Sequence, residues 1–362
     1  MKTVYQRLKP KIYALYIQRG ALRGFLMAQI ALTGLFTLLT FVSELASVGT
    51  GHYSVADALL YALLLSPQKA IEVSPIALML GCLLSLGAMA RNSELTAFMA
   101  AGISELRIIR AAMRVIVPIS IVLLLTSQFI VPPARSFADA HRSLALEKQD
   151  EDGAIWVTRG GEYLHVKTIS ASDEPRGIDI FRFNTDDTLT AYIHADAAVI
   201  LPGGTWELQN VTLKQIRSEM FVTQKLPTLR WASITTPKEM RLLLQPPSAL
   251  SATALLHYIR FRRALGDPAP LYEGEFWTRT AIPASMVALV MLAAPFLFNL
   301  SRSGSTGARI GVGIVIAILY SLFQQVIGRL GLVTDIPLMV TALGPPVALI
   351  LFGAWLIVEA RQ

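Results

Sequence analysis

Six long apolar runs, three on each side of a polar middle at residues 132–275, constrain this 362-residue chain more than any motif in it. The runs cover residues 25–46, 74–90 and 111–131, then 280–300, 310–333 and 336–358. Each is close to the ~20 residues that a helix needs to cross ~30 Å of hydrocarbon. Residues 59–65 extend the second run on its outer side. The architecture this implies is an α-helical polytopic membrane protein, with six transmembrane helices arranged three plus three around a folded domain on one face.

Composition agrees. Hydrophobic residues make up 53% and charged residues 16%, with a mean hydropathy of +0.52; all are shifted from soluble averages toward lipid. Before the first run stand Lys2, Arg7, Lys9, Lys11, Arg19 and Arg23, with no acidic residue among them. The turn between runs two and three carries Arg91, Arg107 and Arg110, and the turn between runs four and five carries Arg302 and Arg309. Short basic loops stay in the cytoplasm, so both termini are expected there, with the middle domain on the opposite side. The polar middle is slightly acidic, and the basic excess behind the net charge of +7 lies in the membrane parts. That excess fits topology and anionic lipid heads and argues against nucleic-acid binding. The first apolar run is longer and later than the 7–15-residue core of a signal peptide, so an uncleaved first span is expected. The lone Cys82 lies inside the second run and has no internal disulfide partner.

The middle reads as β. Residues 154–167 alternate around Gly160-Gly161, a hairpin signal, and residues 177–184, 190–201, 206–216 and 228–234 add further strands. Asp186-Asp187, Pro202-Gly203-Gly204 and Pro227 punctuate them, while Ile178, Ile180, Trp206, Leu208, Val211 and Leu213 recur at every second position. Short strands at this spacing suggest an all-β sandwich or jelly-roll-like domain. After Pro246-Pro247, residues 248–265 form an amphipathic helical pattern ending in Arg260, Arg262 and Arg263. The division is therefore 1–131 for the first three spans, 132–272 for the β domain and its flanking helices, and 273–362 for the last three spans.

Bond-making chemistry is hard to find. The five histidines (His52, His141, His165, His194 and His257) show no ligand spacing, so neither zinc nor another metal or cofactor is expected. The turn Gly304-Ser305-Thr306-Gly307 lacks the lysine of a phosphate-binding loop and reads as a flexible connection. Energised work would need a separate ATPase subunit. The turn after the second run shows how one could attach. Ser93 can cap a helix whose first turn carries Glu94, at the positive end of its dipole. Gly102 can end it, and Leu95, Phe98 and Met99 share one apolar face. Ser104 and Glu105 repeat the pattern. Two readings stand: an interfacial anchor, or a helix seated in a groove of an ATPase with Glu94 paired to a basic residue.

The segment 87–104 (GAMARNSELTAFMAAGIS), the three-plus-three topology, the β insert and Pro67, Pro75 and Pro337 resemble the lipopolysaccharide export permeases of the LptF/LptG (YjgP/YjgQ) family. The resemblance covers nearly the whole chain, and segments 154–169, 177–189 and 275–298 lean toward the LptG branch. It implies an inner-membrane protein with its β domain in the periplasm, paired with the paralogous permease LptF on a cytoplasmic ATPase dimer, LptB. It also implies a single-span LptC beside the first span, and delivery of lipopolysaccharide to the periplasmic bridge LptA. In this setting Arg91, Ser93, Glu94, Leu95, Phe98 and Gly102 form the coupling helix and its borders. Lipid A carries phosphates, so basic residues at the outer ends of the spans are required. Lys69 matches a family lysine position, Arg135 lies near a family basic site, and Arg329 lies near the outer end of the fifth span, with a snorkelling structural role as its alternative. One departure is that residues 44–54 hold no lysine, where related sequences carry them just after the first span. A permease for another lipid, or a membrane subunit relaying ATPase strokes to a periplasmic partner, shares the same spans.

Overall fold

A computed structural model describes residues 12–146, 155–159, 161–169, 174–184, 188–201, 205–217, 220–232, 246–264, 269–299, 306–334 and 336–359. The chain divides into two compact units, one of Met1–Val48, Ala58–Ala138 and Pro270–Gln362, the other of Gly49–Asp57 and Asp139–Ala269. The basic residues at 2–11, Arg302, and Gly304 and Ser305 of the Gly304–Gly307 turn lie outside the described residues, while Thr306 and Gly307 already belong to a helix.

In the first unit α1 (Ile12–Glu44) is followed by α2 (Val55–Arg91), the short α3 (Glu94–Ala100) and α4 (Glu105–Met113). Next come α5 (Ile116–Leu125), one π-helical turn (Thr126–Ile130) and α6 (Val131–Ala145), whose residues from Asp139 onward belong to the second unit. Beyond the β region α7 (Ala252–Ala264) lies in the second unit. Helices α8 (Pro270–Thr280), α9 (Ile282–Asn299), α10 (Thr306–Val333) and α11 (Leu338–Glu359) complete the first. Among the described residues five stretches are long and apolar enough to cross a membrane, and six if α8 and α9 form one span bent by 48°. The second apolar run and its outer extension are a single helix of 37 residues, about 55 Å long. It is the central one, because 72% of its apolar window is buried against 11–39% in the other four single spans.

Helix α2 stays continuous through Pro67 and Pro75 because each lost bond is replaced. A proline cannot donate to the carbonyl four residues earlier, and a bare carbonyl in lipid costs several kcal/mol. Pro67 strips the Leu63 carbonyl, and Ser66 Oγ donates to it at 2.8 Å. Pro75 strips Ile71, and Ser74 Oγ donates there at 2.7 Å. On α11, Pro346 strips Ala342, whose carbonyl accepts from Gln324 Nε2 of α10 at 3.0 Å. Before Pro132 and Pro133 the Val131 N–H bonds back to Thr126 O in the π turn, a five-residue closure that accommodates the prolines.

Interhelical packing is closest where α1 crosses α2. The Cβ that an alanine would add at Gly24 falls 2.2 Å from the Gly81 carbonyl oxygen, and one at Gly81 falls 2.3 Å from the Phe25 nitrogen. Only two glycines permit that approach. Around it Ile17, Ala21, Leu78, Cys82, Leu86, Ile108, Met286 and Leu289 form the main membrane core.

The second unit holds the expected antiparallel β domain. Its strands are β1 (Ile155–Arg159), β2 (Glu162–Ile169), β3 (Pro175–Phe183), β4 (Leu189–Ile200), β5 (Thr205–Arg217) and β6 (Met220–Ala232). Among the described residues they form one six-stranded meander, each strand paired with the next in sequence, where strand spacing had pointed to two packed sheets. Leu164, Val166, Ile178, Ile180, Trp206, Leu208 and Val211 are buried on one face, with Leu213 partly buried against them. The Trp206 and Trp231 rings meet edge to face at 5.6 Å between centroids. Gly161 turns the first hairpin at φ 82°. Strand β6 begins eight residues before the expected 228, because Pro227 marks no turn. It lies in an edge strand of this sheet, where a missing N–H is tolerated. Opposite it in register is Asn210 at φ 52°, a residue type that accepts the left-handed region.

Candidate functional site

The turn joining α2 to α4 is built much as its residues imply, with one correction at its start. Ser93 stands at φ 61° and its side chain makes no capping bond. An N-cap needs an extended backbone to aim its oxygen at the N–H groups of the first turn. Here the abrupt reversal out of α2 takes that residue into the left-handed region instead. Ser104 has the extended backbone, yet it too lacks a side-chain cap bond. The far end follows expectation. Gly102 sits at φ 80°, its N–H bonds to Met99 O at 2.9 Å, and the Ile103 N–H reaches Phe98 O at 3.0 Å, which is a Schellman ending.

The apolar face of α3 is split between interior and solvent. Leu95 is buried, Phe98 is half-buried and Met99 is exposed. The Phe98 ring meets Tyr13 at 6.4 Å and Tyr16 at 6.3 Å between centroids, so the first turns of α1 form its seat. Tyr16 Oη donates to Glu94 Oε2 at 2.8 Å, and Asn92 Nδ2 makes a longer contact of 3.4 Å to Oε1. Arg91 is exposed in the last turn of α2, where a cation complements the helix dipole. Glu94, Arg91 and the exposed Met99 are thus presented together at this turn, while Leu95 and Phe98 pack inward.

Two of the three basic residues assigned to lipid phosphate come together. Arg135 Nη1 of α6 donates to Gln68 Oε1 of α2 at 2.7 Å. The neighbouring Lys69 Nζ pairs with Glu72 at 2.9 Å, one turn along, and Gln68 Nε2 donates to the other oxygen of Glu72 at 2.9 Å. Lys69 and Arg135 therefore belong to one polar network across α2 and α6. Arg329 is exposed on α10, and no described contact joins it to that network.

Sequence reasoning missed several groups. Arg279 Nε of α8 donates to Glu275 at 2.8 Å with little of either side chain exposed, and its Nη1 lies 3.4 Å from Ser127 Oγ in the π turn. The i, i+4 spacing of Glu275 and Arg279 was a readable signal. On the sheet, His165, Asp179 and His194 lie directly across three strands. Asp179 accepts from Tyr192 Oη at 2.7 Å and lies 2.7 Å from His194 Nδ1 and 3.2 Å from His165 Nδ1. Burial works to raise the Asp179 carboxyl, but hydrogen bonds from His194, Tyr192 and His165 outweigh it and hold the group below the usual carboxylate range. Burial, followed by the bond to Asp179 and its charge, pushes the Tyr192 hydroxyl up to about 12. Among the described residues no group of three or more His, Cys, Asp or Glu is placed to hold a metal ion. The gathered groups hold and pair charges; they suit docking and ion binding.

A family model described as lipopolysaccharide export system permease LptF/LptG matches residues 15–359. The lipopolysaccharide export system permease protein LptG of Haemophilus influenzae is 28% identical over 351 residues, covering 96% of this chain and 98% of the relative. The protein of the same name from Escherichia coli K12 is 26% identical over 349 residues, covering 95% and 97%. The names of these relatives agree with the lean toward the LptG branch.

Proposed function

We propose, from the premise that this chain belongs to the lipopolysaccharide export system permease LptF/LptG family, that it is the transmembrane permease subunit of an ABC transporter that extracts lipopolysaccharide from the inner membrane. The observation that carries this reading is a family match running through the apolar spans and the β insert alike, residues 15–359. In this reading residues 1–131 and 273–362 form the membrane part and residues 132–272 the periplasmic β domain. Both termini lie in the cytoplasm. Hydrolysis belongs to the separate LptB dimer, LptF completes the permease pair, LptC stands beside the first span, and LptA receives the lipid.

The chemistry of the two polar regions supports a division of labour. The α3 turn presents Glu94, Arg91 and the exposed Met99, while Leu95 and Phe98 anchor the helix from within; this suits a helix seated in a groove of an ATPase. Arg135 and Lys69 are held in one network by Gln68 and Glu72. A phosphate that took over from Glu72 or Gln68 would find both cations already oriented, and charge-assisted contacts of this kind are the strong ones. Arg329 supplies a third cation along α10. The decisive experiment is co-purification of untagged subunits with this chain, followed by photo-crosslinking from positions inside the spans. Recovery of an ATPase and a second permease, with lipopolysaccharide crosslinked at span positions, supports the reading. Recovery of those subunits with lipid captured nowhere in the spans would favour a relay subunit and reject transport.

A further inference from the structure

We propose that Tyr16, in the first turns of α1, is a positioning residue that links the α3 turn to the first membrane span through Glu94. The inference rests on the reading of α3 as the ATPase-docking helix. Helix α3 is only seven residues long, far below the length at which a helix is stable alone, so its position is set by what it packs against. Two elements of α1 supply that. The Tyr13 and Tyr16 rings flank Phe98, and the Tyr16 hydroxyl donates to Glu94 Oε2 at 2.8 Å. Of the two described contacts to the carboxylate at the helix start, the Tyr16 hydroxyl makes the shorter and the Asn92 amide the longer.

The geometry leaves a second function for the same carboxylate. Tyr16 engages Oε2, while among the described residues Oε1 has only the 3.4 Å contact from Asn92. A carboxylate has about four acceptor directions. Glu94 can therefore take a basic side chain from the ATPase on Oε1 and keep Tyr16 on Oε2. The ATPase cation, the carboxylate and the phenol then form one chain of hydrogen bonds ending on α1. Any displacement of α3 by the ATPase reaches the first span directly through this bond, as well as through α2 and α4. The apolar seat holds α3 in place; the hydroxyl transmits its movement.

The test separates ring from hydroxyl. Tyr16→Phe keeps both ring contacts and removes only the donor. In proteoliposomes carrying the whole complex, the expected result is an ATPase that remains bound to the complex, with lipopolysaccharide released per ATP hydrolysed falling by about tenfold, the scale of one hydrogen bond to a charged group. A packing role alone would not move that ratio in the phenylalanine variant. In a Glu94→Ala background, which removes the acceptor, adding Tyr16→Phe is expected to have little further effect, because both changes cut the same link. Full coupling in Tyr16→Phe, or an undiminished effect of that change in the Glu94→Ala background, overturns the inference. The two failures are distinguishable. If Glu94→Ala uncouples and Tyr16→Phe does not, only the link to α1 falls; if neither uncouples, the docking assignment of α3 falls with it.

Discussion

Replacing Gly24 by alanine tests the closest packing in the membrane unit. The added Cβ would sit 2.2 Å from the Gly81 carbonyl oxygen and 2.9 Å from its carbon. Non-bonded carbon contacts settle near ~3.5 Å, and the obstacle is backbone, which cannot rotate aside as a side chain can. Helices α1 and α2 must therefore part by about 1 Å, which forfeits a quarter to a half of each dispersion contact along the seam. Overpacking costs of about 1–3 kcal/mol are typical, and this site belongs at the upper end. Alanine regains up to about 1 kcal/mol of helix propensity, leaving a net loss of about 2 kcal/mol. Gly34→Ala on the same helix is the control, since its Cβ meets nothing within 4 Å and only the propensity gain remains. The two variants should differ by about 3 kcal/mol in thermal unfolding followed by tryptophan fluorescence and by retention of the monodisperse peak in detergent. Gly81→Ala should resemble Gly24→Ala, and the double variant should lose less than the sum because both changes open one crossing. Equal stability of Gly24→Ala and Gly34→Ala would refute the assigned crossing.

Reversing the charge in Glu94→Lys sets a like charge against the basic groove expected on the ATPase; co-purified ATPase or ATP-coupled export should be lost while the membrane unit stays folded, and normal assembly with normal export would dismiss the docking role. Removing Lys69, Arg135 and Arg329 together should sharply reduce lipopolysaccharide crosslinking without dissolving the complex, each partly desolvated contact being worth about 1.5–3 kcal/mol; single changes should be mild, and wild-type crosslinking in the triple variant would eliminate this site. The Asp179 carboxyl is held below its ordinary value, so its contribution to the sheet is present at neutral pH and is lost as pH falls through the lowered value. Asp179→Asn should therefore be less stable than wild type at pH 7, with the gap closing below about pH 4; a gap that persists at low pH would show that packing, not charge, is responsible.

The presence of the long apolar helices, the alternating strands and the Gly102 helix ending were readable because each depends on near neighbours. Helix crossing lengths follow from runs of apolar residues, strand faces from a period of two, and a left-handed ending from a glycine three residues beyond an apolar turn. The same locality explains the errors. Nothing near Pro227 in sequence says that its strand is an edge, and Ser93 has the residue type of a cap without the backbone of one. What tertiary structure alone decided are the meetings between distant segments. Tyr16 finds Glu94 across 78 positions, Arg135 finds Gln68 across 67, and Arg279 finds Ser127 across 152. The two glycines of the α1–α2 crossing look like any others until their backbones come within contact distance. A residue's type tells what bond it can make. Which partner it makes it with depends on helix rotation and depth, and those are set by the summed packing of the bundle rather than by any local window.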